Sequence, residues 1–131
     1  MSWRQRIAEE ARQSYPHECC GILLGKNAPD GKFEVAEIRA LPNRIQGEGR
    51  GVHFEADPLL LYQVEREIEG SGLEIVGFYH SHPDYEAIPS REDAKNMVPG
   101  LVYVIVSVTR KGLPTSEVIK MISNADGTTQ L

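Results

Sequence analysis

Residues 75–83 read Ile-Val-Gly-Phe-Tyr-His-Ser-His-Pro, an apolar run that leads into two histidines one residue apart. The run is typical of a buried β-strand, so we predict a strand over residues 74–80 that carries the histidines into a following loop. Because side chains alternate across a strand, His80 and His82 lie on one face, about 6.6 Å apart at a rise of roughly 3.3 Å per residue. Both imidazoles can therefore reach a single metal ion.

A carboxylate follows this pair in the next segment of the chain. If Ser90 opens a helix, Asp93 lies in its first turn and can face back toward the strand. His80, His82 and Asp93 would then give zinc three protein ligands and leave one tetrahedral position open. Each residue also has an ordinary explanation, because histidines can form a satisfied strand-end pair and Ser90 with Asp93 can form a helix cap. Their joint occurrence favours the metal site.

Helical and extended segments alternate outward from this stretch. Ser2 is a predicted cap for a helix that runs to about Tyr15 and that Pro16 ends. Two extended runs, residues 19–24 and 33–41, predict a hairpin. The following residues, 42–51, contain glycine, proline and asparagine without periodicity and predict a loop.

The second half of the chain continues the alternation. Residues 52–55 form a short strand candidate, and Asp57 caps a second helix that Pro58 begins. Its predicted buried face consists of Leu60, Leu61, Val64 and Ile68. Residues 90–97 predict a short helix, 101–108 a central strand that is buried on both faces, and 117–122 a last strand.

Composition and charge limit the class of protein. The chain has 131 residues, 40% hydrophobic and 25% charged, which suits one globular domain; we predict a domain over 1–122 and a polar tail over 123–131. The net charge of -5 disfavours nucleic-acid binding. The longest apolar run, 101–106, is far shorter than a membrane span, and the N-terminus lacks the apolar core of a signal peptide. Adjacent Cys19 and Cys20 cannot easily bridge and fit a reducing compartment, so we predict a cytoplasmic protein that binds no membrane.

The motif resembles that of a known family. His80-Ser81-His82-Pro83, six residues, Ser90, two residues and Asp93 match without a gap the signature of the JAMM (MPN+) zinc metallopeptidases, HSHP, six residues, then S-x-x-D. The resemblance runs from about residue 3 to 108. It implies an α/β, single-domain JAMM/MPN fold of the cytidine-deaminase-like kind, with a central mixed β-sheet flanked by helices.

The resemblance also implies roles for individual residues. Zn²⁺ would be held by His80, His82 and Asp93. Residues 16–21, Pro-His-Glu-Cys-Cys-Gly, look like the family's early strand with its glutamate, which implies that Glu18 is the catalytic base and then acid. Ser90 would donate a hydrogen bond to the oxyanion, a role that is compatible with capping its helix.

Neighbouring polar residues receive ordinary interpretations. Ser81 points to the strand face opposite the histidines and is interpreted as structural. Asp84 and Glu86 are interpreted as solvated loop carboxylates near the rim of the site. His17 and His53 each stand alone in their segments, so we assign them no ligand role.

Within that family the chain is most similar to the small stand-alone bacterial Mec+ proteins. This implies hydrolysis of the amide bond after the C-terminal Gly-Gly of a ubiquitin-like sulfur-carrier protein, with release of cysteine or a short C-terminal extension. One alternative is an isopeptidase of the deubiquitinase type, although 131 residues leave little room for the insertions of those enzymes. Another is a non-catalytic MPN-type module that binds a tail, although such modules typically lose ligands. A purely structural zinc is disfavoured, since such sites usually have four, cysteine-rich ligands.

Overall fold

The computed structural model describes residues 2–29, 32–41, 58–84, 86, 100–110, 115–120, 122–123 and 129–130. Two helices and seven strands lie in these ranges: α1 (Trp3–Ser14), β1 (Cys20–Asn27), β2 (Phe33–Leu41), α2 (Pro58–Glu67), β3 (Glu74–Pro83), β4 (Val102–Val108), β5 (Thr115–Lys120), β6 (Ile122–Ser123) and β7 (Thr129–Gln130). Neither helix in this described part of the chain is long and apolar enough to span a membrane.

The first helix begins at a reciprocal cap. The Gln5 amide donates to Ser2 Oγ at 3.2 Å, and the Ser2 amide donates to Gln5 Oε1 at 2.9 Å, so two amides of the first turn are satisfied. The helix buries Ile7 and Ala11 and ends before Pro16. The predicted cap and helix are thereby confirmed.

Five strands form one mixed sheet in the order β2-β1-β3-β4-β5. Only β3 and β4 pair in parallel among these five, and the other neighbours are antiparallel, including the predicted hairpin of β1 and β2. A parallel pair needs a long crossover because the chain must return to the same end of the sheet. Residues 84–101 separate the two strands in the sequence and include Ser90 and Asp93.

Strand β4 shows that both faces of the sheet are covered. Its valines at 102, 104, 106 and 108 join one buried cluster with Ile7 and Ala11 of α1. Tyr103 and Ile105 project to the other side, against Phe78. We call these sides the α1 face and the α2 face. The predicted central strand, buried on both faces, is confirmed.

Helix α2 covers the second face through one buried side chain. Val64 packs with Ile22 and Leu24 of β1, and Leu61 and Ile68 are half-buried beside it. Leu60 is also half-buried, so the predicted inner face of this helix is apolar but only Val64 is fully enclosed.

The sheet slips in register on both sides of β1. Leu23 pairs with Gly77 and Leu24 with Ile75, which leaves Val76 as an extra residue in β3. On the other side Leu24 pairs with Glu37 and Gly25 with Val35, which leaves Ala36 as an extra residue in β2. The two bulges, one in β3 and one in β2, therefore lie on opposite sides of β1 at nearly the same point along it.

Some predicted boundaries were wrong. Strand β3 runs to Pro83 instead of ending at His80, because pairing with β4 continues to Pro83 opposite Val108. Strand β1 extends to Asn27, and β5 covers Thr115–Lys120. Ile122–Ser123 pairs with Thr129–Gln130 as β6 and β7, and the predicted bounds of the domain and the tail stay predictions. The predicted loop at 42–51, the strand at 52–55, the cap at Asp57 and the helix at 90–97 lie outside the described residues.

Candidate metal and catalytic site

Two buried imidazoles on the α2 face form the centre of the candidate site. His80 and His82 are 4% and 3% exposed, and their Nε2 atoms lie 3.1 Å apart. Strand alternation brings both rings to one side, as the sequence predicts, while Ser81 between them points to the α1 face. The two nitrogens therefore meet at one point near the end of β3.

A backbone contact determines which His82 nitrogen carries the proton. His82 Nδ1 lies 2.9 Å from the carbonyl oxygen of Glu86. A carbonyl only accepts, so Nδ1 donates and the Nε2 of a neutral ring presents its lone pair. Metal-bound histidines are commonly oriented in this way, by a bond from the second ring nitrogen. This contact could not be predicted from the sequence, since every residue has a carbonyl.

The pair fits two ligands of one ion. Ligands about 2.05 Å from a tetrahedral zinc lie roughly 3.3 Å from each other, close to the observed separation of 3.1 Å. The same separation also suits a hydrogen bond between the rings. Within the described ranges, no group of three or more His, Cys, Asp or Glu side chains is placed to hold a metal. Asp93, the third predicted ligand, lies outside those ranges.

Glu18 lies on the same face as the histidines. Cys20 pairs with His80 and Gly21 with Tyr79, so extending this register by two residues places Glu18 opposite His82. Directly opposed residues of an antiparallel pair share a face, with Cβ atoms about 4.5–5.5 Å apart. Both carboxylate oxygens of Glu18 are buried. The structure thus brings Glu18 to the histidine pair, although Glu18 and His80 are 62 positions apart along the chain.

The adjacent cysteines are free, buried thiols. Burial raises the pKa of each to about 12, and the charges of Glu10 and Glu18 add to the effect at Cys20. Both thiols therefore stay protonated at neutral pH, and the interpretation of Cys19 and Cys20 as small buried side chains is confirmed.

A second polar group lies behind the histidines, on the α1 face. Tyr79 Oη donates to Glu10 Oε1 at 2.7 Å, and burial raises the pKa of both side chains. The Tyr79 ring lies across Gly21, where an added Cβ would come within 2.3 Å of it. Ser81 Oγ accepts from the Cys19 amide at 2.8 Å. This side is closed by packing and hydrogen bonds.

The end of β3 is tied to the end of α1. Asp84 has a left-handed φ of 63° and its amide donates to the Val108 carbonyl at 2.8 Å. The Tyr15 hydroxyl donates to the Asp84 carboxylate, 3.0 and 2.9 Å from its two oxygens. Asp84 and Glu86 are exposed, as predicted, but no pattern in the sequence predicts the bond from Tyr15 to Asp84.

Ser90 and Asp93 lie outside the described residues. The oxyanion role of Ser90 and the ligand role of Asp93 therefore stay predictions. The ligand roles of His80 and His82 and the base role of Glu18 are predictions as well, now with a defined geometry.

The model of the family described as prokaryotic homologs of the JAB domain matches residues 1–119. A desampylase of Haloferax volcanii is 34% identical over 79% of this chain and 75% of its own. A probable TtuB-protein conjugate cleaving protease of Thermus thermophilus is 32% identical over 76% and 64%. A CysO-cysteine peptidase of Mycobacterium tuberculosis is 34% identical over 77% and 66%. The alignments thus span about two thirds of the length of the last two.

Solved structures agree with the family match. A protein from Salinibacter ruber superposes with a TM-score of 0.63 at 34% identity, over 96% of this chain and 82% of that one. A JAB1/MPN domain protein from Archaeoglobus fulgidus gives 0.54 at 20% identity, over 98% and 90%, a likeness of fold. Relatives named as proteases and peptidases confirm the predicted enzyme class, a hydrolase. The chain therefore belongs to the family of prokaryotic homologs of the JAB domain and has its α/β JAMM/MPN fold.

Proposed function

We propose that this protein is a cytoplasmic, zinc-dependent peptidase that hydrolyses the amide bond after the C-terminal Gly-Gly of a ubiquitin-like sulfur carrier. The leaving group would be cysteine or a short C-terminal extension. The observation that carries the proposal is the buried pair of His80 and His82, with Nε2 atoms 3.1 Å apart and Glu18 on the same face. Two free, buried cysteines support a reducing compartment.

The site residues have three different roles, which are metal binding, proton transfer and stabilisation of the oxyanion. His80 and His82 would bind zinc through Nε2, together with Asp93. When bound, zinc polarises a carbonyl and lowers the pKa of water toward about 7. Glu18 accepts a proton from the attacking water and returns it to the leaving amine. Ser90 donates a hydrogen bond to the oxygen anion that develops on the scissile carbonyl.

Burial of the histidines supports a substrate whose residues beside the scissile bond have no side chains. Both rings are at most 4% exposed, so a substrate must bring its scissile bond close to a nearly closed surface. Two glycines present no side chains and let the backbone approach closely. A relative named as a CysO-cysteine peptidase supports cysteine as the leaving group.

A second candidate is an isopeptidase that releases the carrier from protein conjugates. The name of the Thermus relative, a TtuB-protein conjugate cleaving protease, favours it. The same site residues would act on either bond, since both are amides that follow the Gly-Gly tail. The two candidates differ only in the group that follows the last glycine.

Mass spectrometry of two substrates tests the proposal. Zinc-loaded protein is incubated with a ubiquitin-like carrier that ends in Gly-Gly-Cys, and separately with the carrier joined to a lysine side chain. We expect cleavage after the last glycine of the first substrate. Preference for the lysine conjugate would select the isopeptidase, and failure to bind one equivalent of zinc, or to cleave either substrate, would overturn the proposal.

A substitution tests the base. Glu18→Gln keeps the size of the side chain but cannot accept the proton, so turnover should fall by about 10²–10⁴-fold while zinc stoichiometry stays at one. Glu65→Gln, the same change on the exposed side of α2, is the matched control and should leave turnover unchanged. Full activity of Glu18→Gln would exclude Glu18 as the base.

A further inference from the structure

We propose that Ser81 and the pair of Tyr15 and Asp84 are positioning residues that hold Glu18 opposite His82. The inference rests on the proposed function, because it assigns these residues to the orientation of the catalytic base. Ser81 lies between the two histidines but on the other face, and Asp84 follows directly after Pro83. None of the three side chains is itself proposed to contact substrate.

The first element is an altered rung of the β1–β3 ladder. In a regular antiparallel pair of this type, two residues exchange two backbone hydrogen bonds. Here the Ser81 amide donates to the Cys19 carbonyl at 3.0 Å, but the Cys19 amide donates to Ser81 Oγ at 2.8 Å. The hydroxyl thus replaces a backbone acceptor directly beside Glu18. Because the bond is buried, its loss would leave the Cys19 amide without this acceptor beside the catalytic base.

The second element lies on the other side of Glu18. Tyr15, three residues earlier, donates its hydroxyl to both oxygens of Asp84 at 3.0 and 2.9 Å. Asp84 is in turn fixed by its own amide, which donates to the Val108 carbonyl at 2.8 Å. The left-handed φ of 63° turns the chain after Pro83, where Asp is one of the few residues that adopt such a conformation readily. This bond therefore anchors the segment that enters β1.

Together the two bonds hold Glu18 from both directions. Both end in residues 81–84, the segment that also contains His82, so base and ligand belong to one hydrogen-bonded unit. A catalytic group must be held within about 0.5 Å of its productive position, and a shift of about 1 Å can cost 10²-fold in rate. Loss of either bond should therefore lower turnover through the position of Glu18, without removing any ligand.

Double-mutant cycles on the full, zinc-loaded chain test this inference, with the carrier that ends in Gly-Gly-Cys as substrate. We expect Tyr15→Phe and Ser81→Ala each to lower kcat by about 10–100-fold, with zinc stoichiometry and KM unchanged. In a Glu18→Gln background the same substitutions should change the residual rate by less than about twofold. A general loss of structure would instead lower both rates equally.

Two further variants control for simple loss of a side chain. Asp84→Asn keeps an acceptor oxygen for Tyr15 and should retain most of the activity, whereas Asp84→Ala should behave as Tyr15→Phe does. Tyr62→Phe removes the hydroxyl of an exposed tyrosine on α2 and should leave kcat unchanged. If Ser81→Ala fails to fold, Tyr15→Phe still decides the outcome, because it keeps the half-buried ring and removes only the hydroxyl.

The possible failures can be told apart. A wild-type protein that binds zinc but has no turnover on either carrier substrate overturns the proposed function. An active wild type in which Tyr15→Phe and Ser81→Ala leave kcat unchanged, or in which their effects are additive with Glu18→Gln, overturns only the positioning role.

Discussion

The last residues of β3 present two different surfaces to the two sides of the sheet. On the α1 face, Tyr79 and Ser81 are buried and hydrogen-bonded to Glu10 and to the Cys19 amide. On the α2 face, His80 and His82 turn two ring nitrogens toward each other. In residues 79–82, side chains that pack and hydrogen-bond on the α1 face thus alternate with candidate metal ligands on the α2 face. Strand β3 therefore places its packing and hydrogen-bonding side chains on one side and its two candidate metal ligands on the other.

The two faces also differ in how burial is compensated. The Tyr79 hydroxyl and Ser81 Oγ have partners from other elements, so burying them creates stabilising contacts. The α2 face instead concentrates two imidazoles and the carboxylate of Glu18 in one buried place. Such concentrations of ionisable groups are expensive for the fold and are typical of functional sites.

The largest expected effect is on the α1 face. Tyr79→Ala removes a buried ring that spans Gly21 and reaches α1, so it should reduce the free energy of unfolding by about 3–5 kcal/mol. Tyr79→Phe keeps the ring and should cost about 1 kcal/mol. Urea unfolding followed by circular dichroism measures both. Unchanged stability of Tyr79→Ala would show that the α1 face of β3 does not stabilise the fold.

The next effect is on the α2 face. His82→Ala removes one predicted ligand. Loss of a residue that only hydrogen-bonds to a metal ligand weakens metal binding by about 10–100-fold, so loss of the ligand itself should weaken zinc binding by more than about 100-fold. The metal-free protein should change in stability by only about 1 kcal/mol. Zinc titration against a competing chelator measures the affinity, with exposed His17→Ala as the control. Equal zinc affinity in both variants would show that His82 is not a ligand.

The smallest effect is the pH dependence of stability that Glu10 contributes on the α1 face. Burial raises the pKa of Glu10 above its ordinary 4.5, while the bond from Tyr79 acts in the opposite direction. The folded protein therefore holds the Glu10 proton more tightly than the unfolded chain. This contribution to stability is present below the ordinary pKa and is lost as pH rises through the raised value.

Glu10→Gln removes this titration. The stability of the wild type relative to the variant should thus fall as pH rises from about 4 to about 8, and the fall should be small because the carboxyl is partly solvated. Urea unfolding of both proteins across that range gives the difference. A difference that increases with pH would contradict the assigned direction.

The sequence predicted those features that depend on local periodicity. The shared face of His80 and His82 follows from strand alternation, and the burial of β4 on both sides follows from its continuous apolar run. The mixed sheet and the JAMM/MPN fold, which the resemblance implied, are confirmed by the structure and by the family match.

Individual side-chain and backbone contacts could not be predicted from local patterns. The bond of Tyr15 to Asp84 joins residues 69 positions apart, and the bond of His82 to Glu86 uses a carbonyl that any residue would supply. The replacement of a backbone acceptor by Ser81 Oγ depends on the register of β1 and β3, which no local pattern specifies.

The paired bulges at Ala36 and Val76 determine how this chain tolerates changes in length. On the Pro83 side of the bulges, one inserted residue between Gly77 and Tyr79 would turn both histidines toward α1 and exchange the two surfaces of β3. At the bulges themselves, near Glu74 or Val35, the strand pairing already leaves one residue unpaired. An insertion or deletion there can be absorbed by enlarging or removing a bulge. Relatives of this protein should therefore vary in length at the bulges and keep a constant number of residues from Gly77 to Pro83.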